Sequence, residues 1–419
     1  MKRFSLIILL ALVLVTVPLH LPTQAVPQIP LYVDGILLET DVPPLIYNSR
    51  VLVPLRSAGE AVNSYVEYYP EDKSIAAWNN GTKIELKVYS KTAYINSKPV
   101  QLDTPPLISN GRTLIPLRFF GEAFGCYVEW DSAADSVRIF SPAKEMEVTG
   151  FYALGDSRTS SWTNLFGNPY PQAAAGNTDK VSTLALGWYS LDKEGNLITD
   201  SSSGWRKPAG WELVLEAADR YNMKTEMVVH CTDKGGALTS LLADKNLTNL
   251  AIDSIAEEAK DYDSVNLDFE GLGWNDPPET QKIVQQNFST FAAKLAQKLG
   301  AENVELTLTL HPPNSAYKGY DYAALGQAAD RIIIMAYDYG PKPEPVNLVT
   351  QAVEMALEKV PARKLLLGIT AVGETHESIK TKIGIAKQYN LKGIALWRLG
   401  LIKPLMWEVI GNTVKAEKN

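Results

Sequence analysis

Cysteine is nearly absent: Cys126 and Cys231 are the only two in 419 residues. That excludes a disulfide framework, and two separate thiols are expected rather than a bridge. Histidine is almost as sparse, with four residues and none between Val26 and Ala143, so an imidazole metal site is absent from that stretch. No basic run occurs, and the net charge of −7 argues against nucleic acid or an anionic membrane surface as partner. Long apolar runs are also missing apart from Leu6 to Val17.

That one run reads as a targeting segment. Lys2 and Arg3 precede it, and Thr23-Gln24-Ala25 is a small-residue cleavage pattern. The run is short for a membrane span and is followed by Pro18 and His20, so an uncleaved anchor is the weaker alternative. Residues 1–25 are expected to be a signal peptide and the mature chain to begin near Val26. The expectation is a secreted or wall-located protein with no membrane association after processing. Low cysteine use in an exported chain fits a bacterial source. Charged residues at 21% and hydrophobic ones at 46% describe an ordinary globular protein, and the length favours two domains.

Residues 26–143 contain an internal repeat with an offset of 62. Pro43-Pro44-Leu45-Ile46 matches Pro105-Pro106-Leu107-Ile108, and Arg50 matches Arg112. Val53-Pro54-Leu55-Arg56 matches Ile115-Pro116-Leu117-Arg118, Gly59-Glu60-Ala61 matches Gly121-Glu122-Ala123, and Tyr65-Val66-Glu67 matches Tyr127-Val128-Glu129. Turn pairs at Asp34-Gly35, Asn80-Gly81 and Asn110-Gly111 predict short strands, with a short helix after each Pro-Leu-Arg. Two copies are too few for a solenoid, so a compact duplicated β-rich module is expected.

After a linker at Ser141-Pro142-Ala143-Lys144, strands and helices alternate. Strands are predicted at Val148–Ala153, Val181–Trp188, Thr225–His230, Ser264–Glu270, Val304–Leu310, Arg331–Tyr337, Lys364–Ile369 and Gly393–Trp397. Helical stretches include Trp211–Tyr221, Leu250–Lys260, Gln281–Leu299 and Glu377–Tyr389. Eight such units predict an α/β fold, a (β/α)₈ TIM barrel over residues 146–419, preceded by the smaller duplicated α+β domain.

The fourth strand carries the chemistry. With period two, Val265, Leu267 and Phe269 share one face, and Asn266, Asp268 and Glu270 share the other. Buried carboxylates need partners or take up a proton, and the inward C-terminal end of a barrel strand is where such groups are used. An edge strand with a solvated acidic face is the alternative. Two carboxyls on one side can divide their roles. Glu270 lies nearer the C-terminal end and is assigned as the general acid, with Asp268 ionised.

Asp263-x-x-Asn266-x-Asp268-x-Glu270 resembles the Asp-x-x-Asp-x-Asp-x-Glu motif of family 18 glycoside hydrolases. Met335-Ala336-Tyr337-Asp338 resembles that family's Met-x-Tyr-Asp motif, Trp397 falls where the family places the tryptophan under the sugar, and Tyr152 matches an inward aromatic. The resemblance implies substrate-assisted retention, in which the substrate's acetamido oxygen attacks the anomeric carbon. It assigns Glu270 to protonate the leaving oxygen and then activate water. Asp268 would orient the acetamide, Tyr337 would bond its oxygen, Asp338 and Met335 would line the sugar site, and Trp397 would stack beneath the ring. No metal or other cofactor is implied. Where the family commonly has Asp, this chain has Asn266. An amide there is expected to donate to Asp268 and hold it ionised, changing the pH profile without abolishing activity.

The Asn variant, Gly150-Phe151-Tyr152 and the Gly187-Trp188-Tyr189-Ser190-Leu191-Asp192 run are similar to the spore cortex-lytic N-acetylglucosaminidase branch. The extra domain that many members insert after the seventh strand has no room here, so a shallower groove is expected. The repeat resembles the stalk domain called copper amine oxidase N-terminal-like, which implies wall attachment or a spacer and, without histidine, no imidazole copper site. His311, His230 with Asp233, Trp274, Trp188 and Glu374 are weaker candidates; loop, rim or core roles account for them equally well or better. The expected partner is an N-acetylglucosamine-containing polysaccharide, peptidoglycan ahead of chitin. A non-catalytic carbohydrate-binding protein is a further alternative.

Overall fold

The computed structural model describes residues 28–79, 81–153, 159–201 and 204–418. The expected signal peptide and Asn80 of the Asn80-Gly81 turn lie outside the described residues.

Eight parallel strands close into a barrel. They are β1 (Lys144–Tyr152), β2 (Thr183–Leu191), β3 (Lys224–Thr232), β4 (Ser264–Glu270), β5 (Glu305–Leu310), β6 (Arg331–Ile334), β7 (Leu365–Thr370) and β8 (Gly393–Trp397). Helices such as Lys245–Glu258, Pro278–Gly300 and His376–Gln388 cover the outside. β4 and β8 fall where their alternation predicts them. β6 is shorter than predicted, because after Ile334 the chain leaves the ladder. Met335 to Asp338 therefore form the loop above β6 and not its last turn of strand.

Two apolar layers explain the closure. Outward residues such as Val265, Leu267 and Phe269 on β4 pack against the helices in one large cluster. Inward residues Phe151, Ala185, Val228, Ile333, Leu366 and Ala395 form a smaller cluster in the barrel's centre. Below them, Arg331 reaches Glu305 (2.7 Å), Glu226 (3.4 Å) and Glu147 (3.5 Å). One guanidinium is shared among three carboxylates, two of them buried, and burial raises the pKa of Glu147 despite it.

The N-terminal module is built from the repeat. Strands Arg50–Pro54 and Arg112–Pro116, one from each copy, pair antiparallel with Val53 opposite Ile115. These are repeat-equivalent residues, so a pseudo-two-fold axis passes between them. Two ion pairs obey the same symmetry: Arg50 to Asp103 at 2.8 Å and Arg112 to Asp41 at 2.5 Å. Strand Leu31–Val33 crosses over to pair with Val137–Ile139, so the first strand closes the second copy's sheet.

The module packs on the barrel helix His376–Gln388. Lys387 is buried, 3.4 Å from Asp34, and donates to the Ser141 carbonyl at 3.2 Å. Asp34 accepts from the Ser141 backbone at 2.8 Å, and Asn63 donates to the Lys387 carbonyl at 2.9 Å. Lys380 lies 3.6 Å over the Phe140 ring. The Ser141–Lys144 stretch is therefore held at both ends and does not act as a loose tether. Both cysteines are free and buried, and burial pushes Cys231 up to about 11 and Cys126 up to about 12, which keeps them as thiols. No helix among the described residues is long and apolar enough to cross a membrane.

Candidate active site

The inward face of β4 reaches the open end of the barrel as Asn266, Asp268 and Glu270. Asn266 is fully buried and does not touch substrate space. Its amide nitrogen donates to Glu226 at 3.0 Å, and its oxygen accepts from Thr309 at 2.8 Å. The amide thus belongs to the polar layer around Arg331, and the expected bond to Asp268 is not made. Asp268 is 2% exposed, and its Oδ1 has no hydrogen-bond partner among the described residues.

Two imidazoles stand against Glu270. The ladder places His230 of β3 opposite Asp268, and His230 Nε2 lies 3.2 Å from Glu270 Oε1. His311, just past β5, approaches Oε2 at 3.9 Å and stacks on Tyr317 with centroids 3.9 Å apart. Burial resists ionisation of Glu270, but the His230 bond and the charges of both histidines outweigh it and lower its pKa. Burial also opposes charge on His230, and its bond to Glu270 and the two carboxylates outweigh that and raise it. His311 is pushed down by burial despite Glu270 and Asp338, so His230 carries most of the interaction at neutral pH.

Asp268 goes the other way. Burial, then the charge of Glu270, push it up to about 7, with His230 pulling back only in part. Burial and its neighbour thus disfavour charge on Asp268, while the two histidines favour it on Glu270. The sequence does not reveal that His230 faces Glu270. His230, Asp268 and Glu270 bring ligand-type atoms within 4.8 Å of one another. They are the one such group among the described residues close enough to hold a cation, and the direct His230–Glu270 bond already joins two of its members.

Replacing His230 with Asn removes the contact that keeps Glu270 ionised. If Glu270 acts as an acid, activity falls as pH rises through its pKa. The variant's falling limb of kcat/KM should therefore move to higher pH than in the parent. A pH–rate profile unchanged in position would remove His230 from this role.

Tyr337 packs beside this pair. Burial and the nearby charges of Asp268, Glu270 and Asp338 hold its phenol well above the usual range, leaving it a proton donor. Asp338 sits at the rim with a positive φ of 64° and a side chain 79% exposed, paired to Lys342 at 3.2 Å. Met335 is buried, and its N–H donates to the Leu310 carbonyl at 2.9 Å. Trp397 ends β8 and is half-buried, edge-on to Phe151 at 5.2 Å and tilted against Trp205 at 5.5 Å.

Tyr152 is not in the site. It is fully buried in the outer layer between strands and helices, and Phe151 is the β1 aromatic that faces inward. The phase was readable: Glu147 and Thr149 are polar residues of a buried strand and share Phe151's face. The Tyr152 hydroxyl has no partner among the described residues. Tyr152→Phe should leave kcat/KM within about two-fold and raise stability by about 1 kcal/mol, read as a higher Tm. A large loss of activity would return Tyr152 to the site.

Trp205 escaped the sequence reading. Its ring lies over Gly187, where an added Cβ would come within 2.6 Å of it, so a glycine in mid-strand was the available signal. Trp188 is core, 1% exposed and packed on Trp211. Trp274 stands on the rim, 60% exposed. Asp233 caps its own loop through Thr239 at 2.9 and 2.7 Å. Glu374 is no solvated loop residue: it is buried, 3.0 Å from Lys382, and accepts from the Glu344 backbone at 2.8 Å. Only residues 371–375 connect β7 to the next helix.

A closed parallel barrel with adjacent inward carboxyls at the end of β4 defines a class. Residues 159–376 match the family described as Glycosyl hydrolases family 18, and the chain belongs to that family as a glycosidase. Residues 32–139 match the Copper amine oxidase N-terminal domain. Among curated relatives, the cortical fragment-lytic enzyme of Bacillus subtilis is 22% identical over 250 residues, covering 42% of this chain and 56% of that protein. The chain thus spans little more than half of that relative's length. Two solved structures share the fold. The spore cortex-lytic enzyme SleL of Bacillus megaterium has a TM-score of 0.54 at 18% identity, covering 75% of this chain and 80% of that one. A chitinase from Chromobacterium violaceum has a TM-score of 0.52 at 18% identity, covering 64% and 98%.

Proposed function

We propose that this glycosidase is exported and cleaves β-1,4 bonds next to N-acetylglucosamine in peptidoglycan, spore cortex included, by substrate-assisted retention. The observation that carries the mechanism is geometric: buried Asp268, its Oδ1 without a partner among the described residues, shares the inward face of β4 with Glu270, which His230 meets at 3.2 Å. A sugar entering the cleft covers Glu270, whose side chain is still 32% exposed. Losing that water raises its pKa, and the proton held by the pair passes to Glu270 as general acid. Asp268, now a carboxylate, accepts from the acetamide N–H and stabilises the positive charge that develops as the acetamido oxygen attacks the anomeric carbon. Tyr337 donates to that oxygen, and Trp397 offers its face to the ring. Glu270 then takes a proton from water as the cyclic intermediate opens, which restores the starting state with retention.

The lytic activity in the relative's name and the short β7 connection support peptidoglycan. The fold match to a chitinase keeps chitooligosaccharides as the second reading. The deciding experiment incubates the mature protein and its Glu270→Gln variant with muropeptides and with chitooligosaccharides, followed by mass spectrometry. New N-acetylglucosamine reducing ends from muropeptides, absent with the variant, support the proposal. Cleavage of chitooligosaccharides alone moves the enzyme to the chitinase reading, and cleavage of neither sinks the catalytic proposal. Proton NMR of the fresh product should give the β-anomer first; the α-anomer first would rule out retention.

A further inference from the structure

The N-terminal module carries two clefts, of about 640 and 430 Å³, which are equivalents under the pseudo-two-fold. The first is lined by Asp41, Arg56, Glu60, Tyr68 and, from the other copy, Arg112. The second has Asp103, Arg118, Glu122, Trp130 and Arg50 in the matching places. Each cleft is therefore completed across the axis, and neither copy forms one alone.

Part of this set is structural. The Arg112–Asp41 and Arg50–Asp103 pairs tie the copies together. Arg118 also reaches Asp103 within its own copy, at 3.3 Å, but three further charged residues are not accounted for by the fold. Arg56, Glu60 and Glu122 make no ion pair or side-chain hydrogen bond among the described residues, yet their types recur at the offset of 62. Meanwhile the neighbours Ser57 and Phe119 have diverged in both size and polarity. Tyr68 and Trp130 keep 36% and 37% of their surface exposed at the cleft walls, on the same strand position.

The chemistry selects a ligand class. An exposed aromatic face offers apolar contact with a polar edge. Guanidinium and carboxylate groups side by side supply donors and acceptors together, as a ligand of hydroxyls and amides requires. Charges of both signs in each cleft disfavour a polyanion. Both volumes suit a short oligomer. A ligand that repeats along its length can fill two equivalent sites. We propose that the two clefts are glycan-binding sites, each taking a segment of the amino-sugar strand that the barrel cleaves. This rests on the reading of the barrel as a wall glycosidase.

The test is hydrogen exchange by mass spectrometry on the full chain carrying Glu270→Gln, with soluble glycan strands freed of peptide as the probe. Segments spanning Arg56–Tyr68 and Arg118–Trp130 should exchange more slowly with glycan, alongside the barrel segments. In a variant with Arg56→Ala, Tyr68→Ala, Arg118→Ala and Trp130→Ala, protection should vanish from the module and persist in the barrel. Retention on teichoic-acid-free walls should drop by ~10²-fold as multivalent attachment is lost. Protection confined to the barrel in the parent overturns the cleft proposal and leaves the glycosidase reading intact. Protection confined to the module supports the clefts and counts against the barrel's substrate. Retention that needs teichoic acid overturns the glycan assignment in favour of a polyanion. The exposed positions chosen leave the copy-to-copy ion pairs in place, and an unchanged Tm identifies a folded variant.

Discussion

Glu270→Gln is expected to lower kcat on an N-acetylglucosamine oligomer by ~10³-fold, with KM changed little, because a positioned general acid contributes about 10²–10⁴-fold. The amide keeps the shape and the hydrogen bond to His230 but cannot deliver a proton to the leaving oxygen. The deficit should depend on the leaving group. An aryl glycoside with an acidic phenol needs little protonation, so the intermediate-forming step should be far less impaired than with a sugar leaving group. Initial rates on both substrate types measure this. A loss below ~10-fold on the oligomer, or the same loss on both, would remove Glu270 from the acid's role.

The second large effect concerns stability as well as rate. Asp268 is buried, and its folded-state pKa is raised from 3.8 to about 7. The fold therefore favours the protonated carboxyl. Its stability is fully present below the unfolded pKa near 4 and is lost as pH rises through about 7. About three units correspond to roughly 4 kcal/mol as an upper bound. Asp268→Asn places a neutral group there at every pH. The variant should match the parent in Tm near pH 4 and exceed it by several degrees at pH 8. Its activity should fall by ~10²–10³-fold, the scale of losing one transition-state electrostatic contact. Thermal unfolding across pH gives the answer, and a Tm difference that shrinks with rising pH would show that Asp268 is ionised in the folded protein. The site is thus destabilised in the resting enzyme at the pH where catalysis needs its charge, a cost that the rest of the barrel offsets.

Much of this was legible from alternation. β4 reads plainly because three apolar outward residues and three polar inward ones interleave without interruption. Reading β1 by the same rule fails at its end, since Phe151 and Tyr152 are both aromatic and composition does not choose between them. Only the phase of Glu147 and Thr149 does. What lay beyond reach was set by neighbours distant in the chain. His230 meets Glu270 because β3 and β4 are in register, although the two residues are 40 positions apart in the chain. Asn266 turns from Asp268 because Glu226 and Thr309 offer better partners. Glu374 looks like a loop residue until Lys382 and the Glu344 backbone close around it. Pairing register and buried-charge compensation are properties of the assembled barrel, and a single strand's pattern carries neither.

The self-opposed pairing of Val53 with Ile115 has a consequence for how the module came to be and how it assembles. An interface in which each partner presents the same edge to the other is that of a two-fold dimer. The module is such a dimer written into one chain. Joining the halves makes their encounter intramolecular, at an effective concentration in the millimolar range, so the module stays paired at any dilution. It also frees the halves from identity. A true homodimer must change both copies at once, whereas here Ser57 and Phe119, or Tyr68 and Trp130, can drift apart one at a time while the shared edge holds them together.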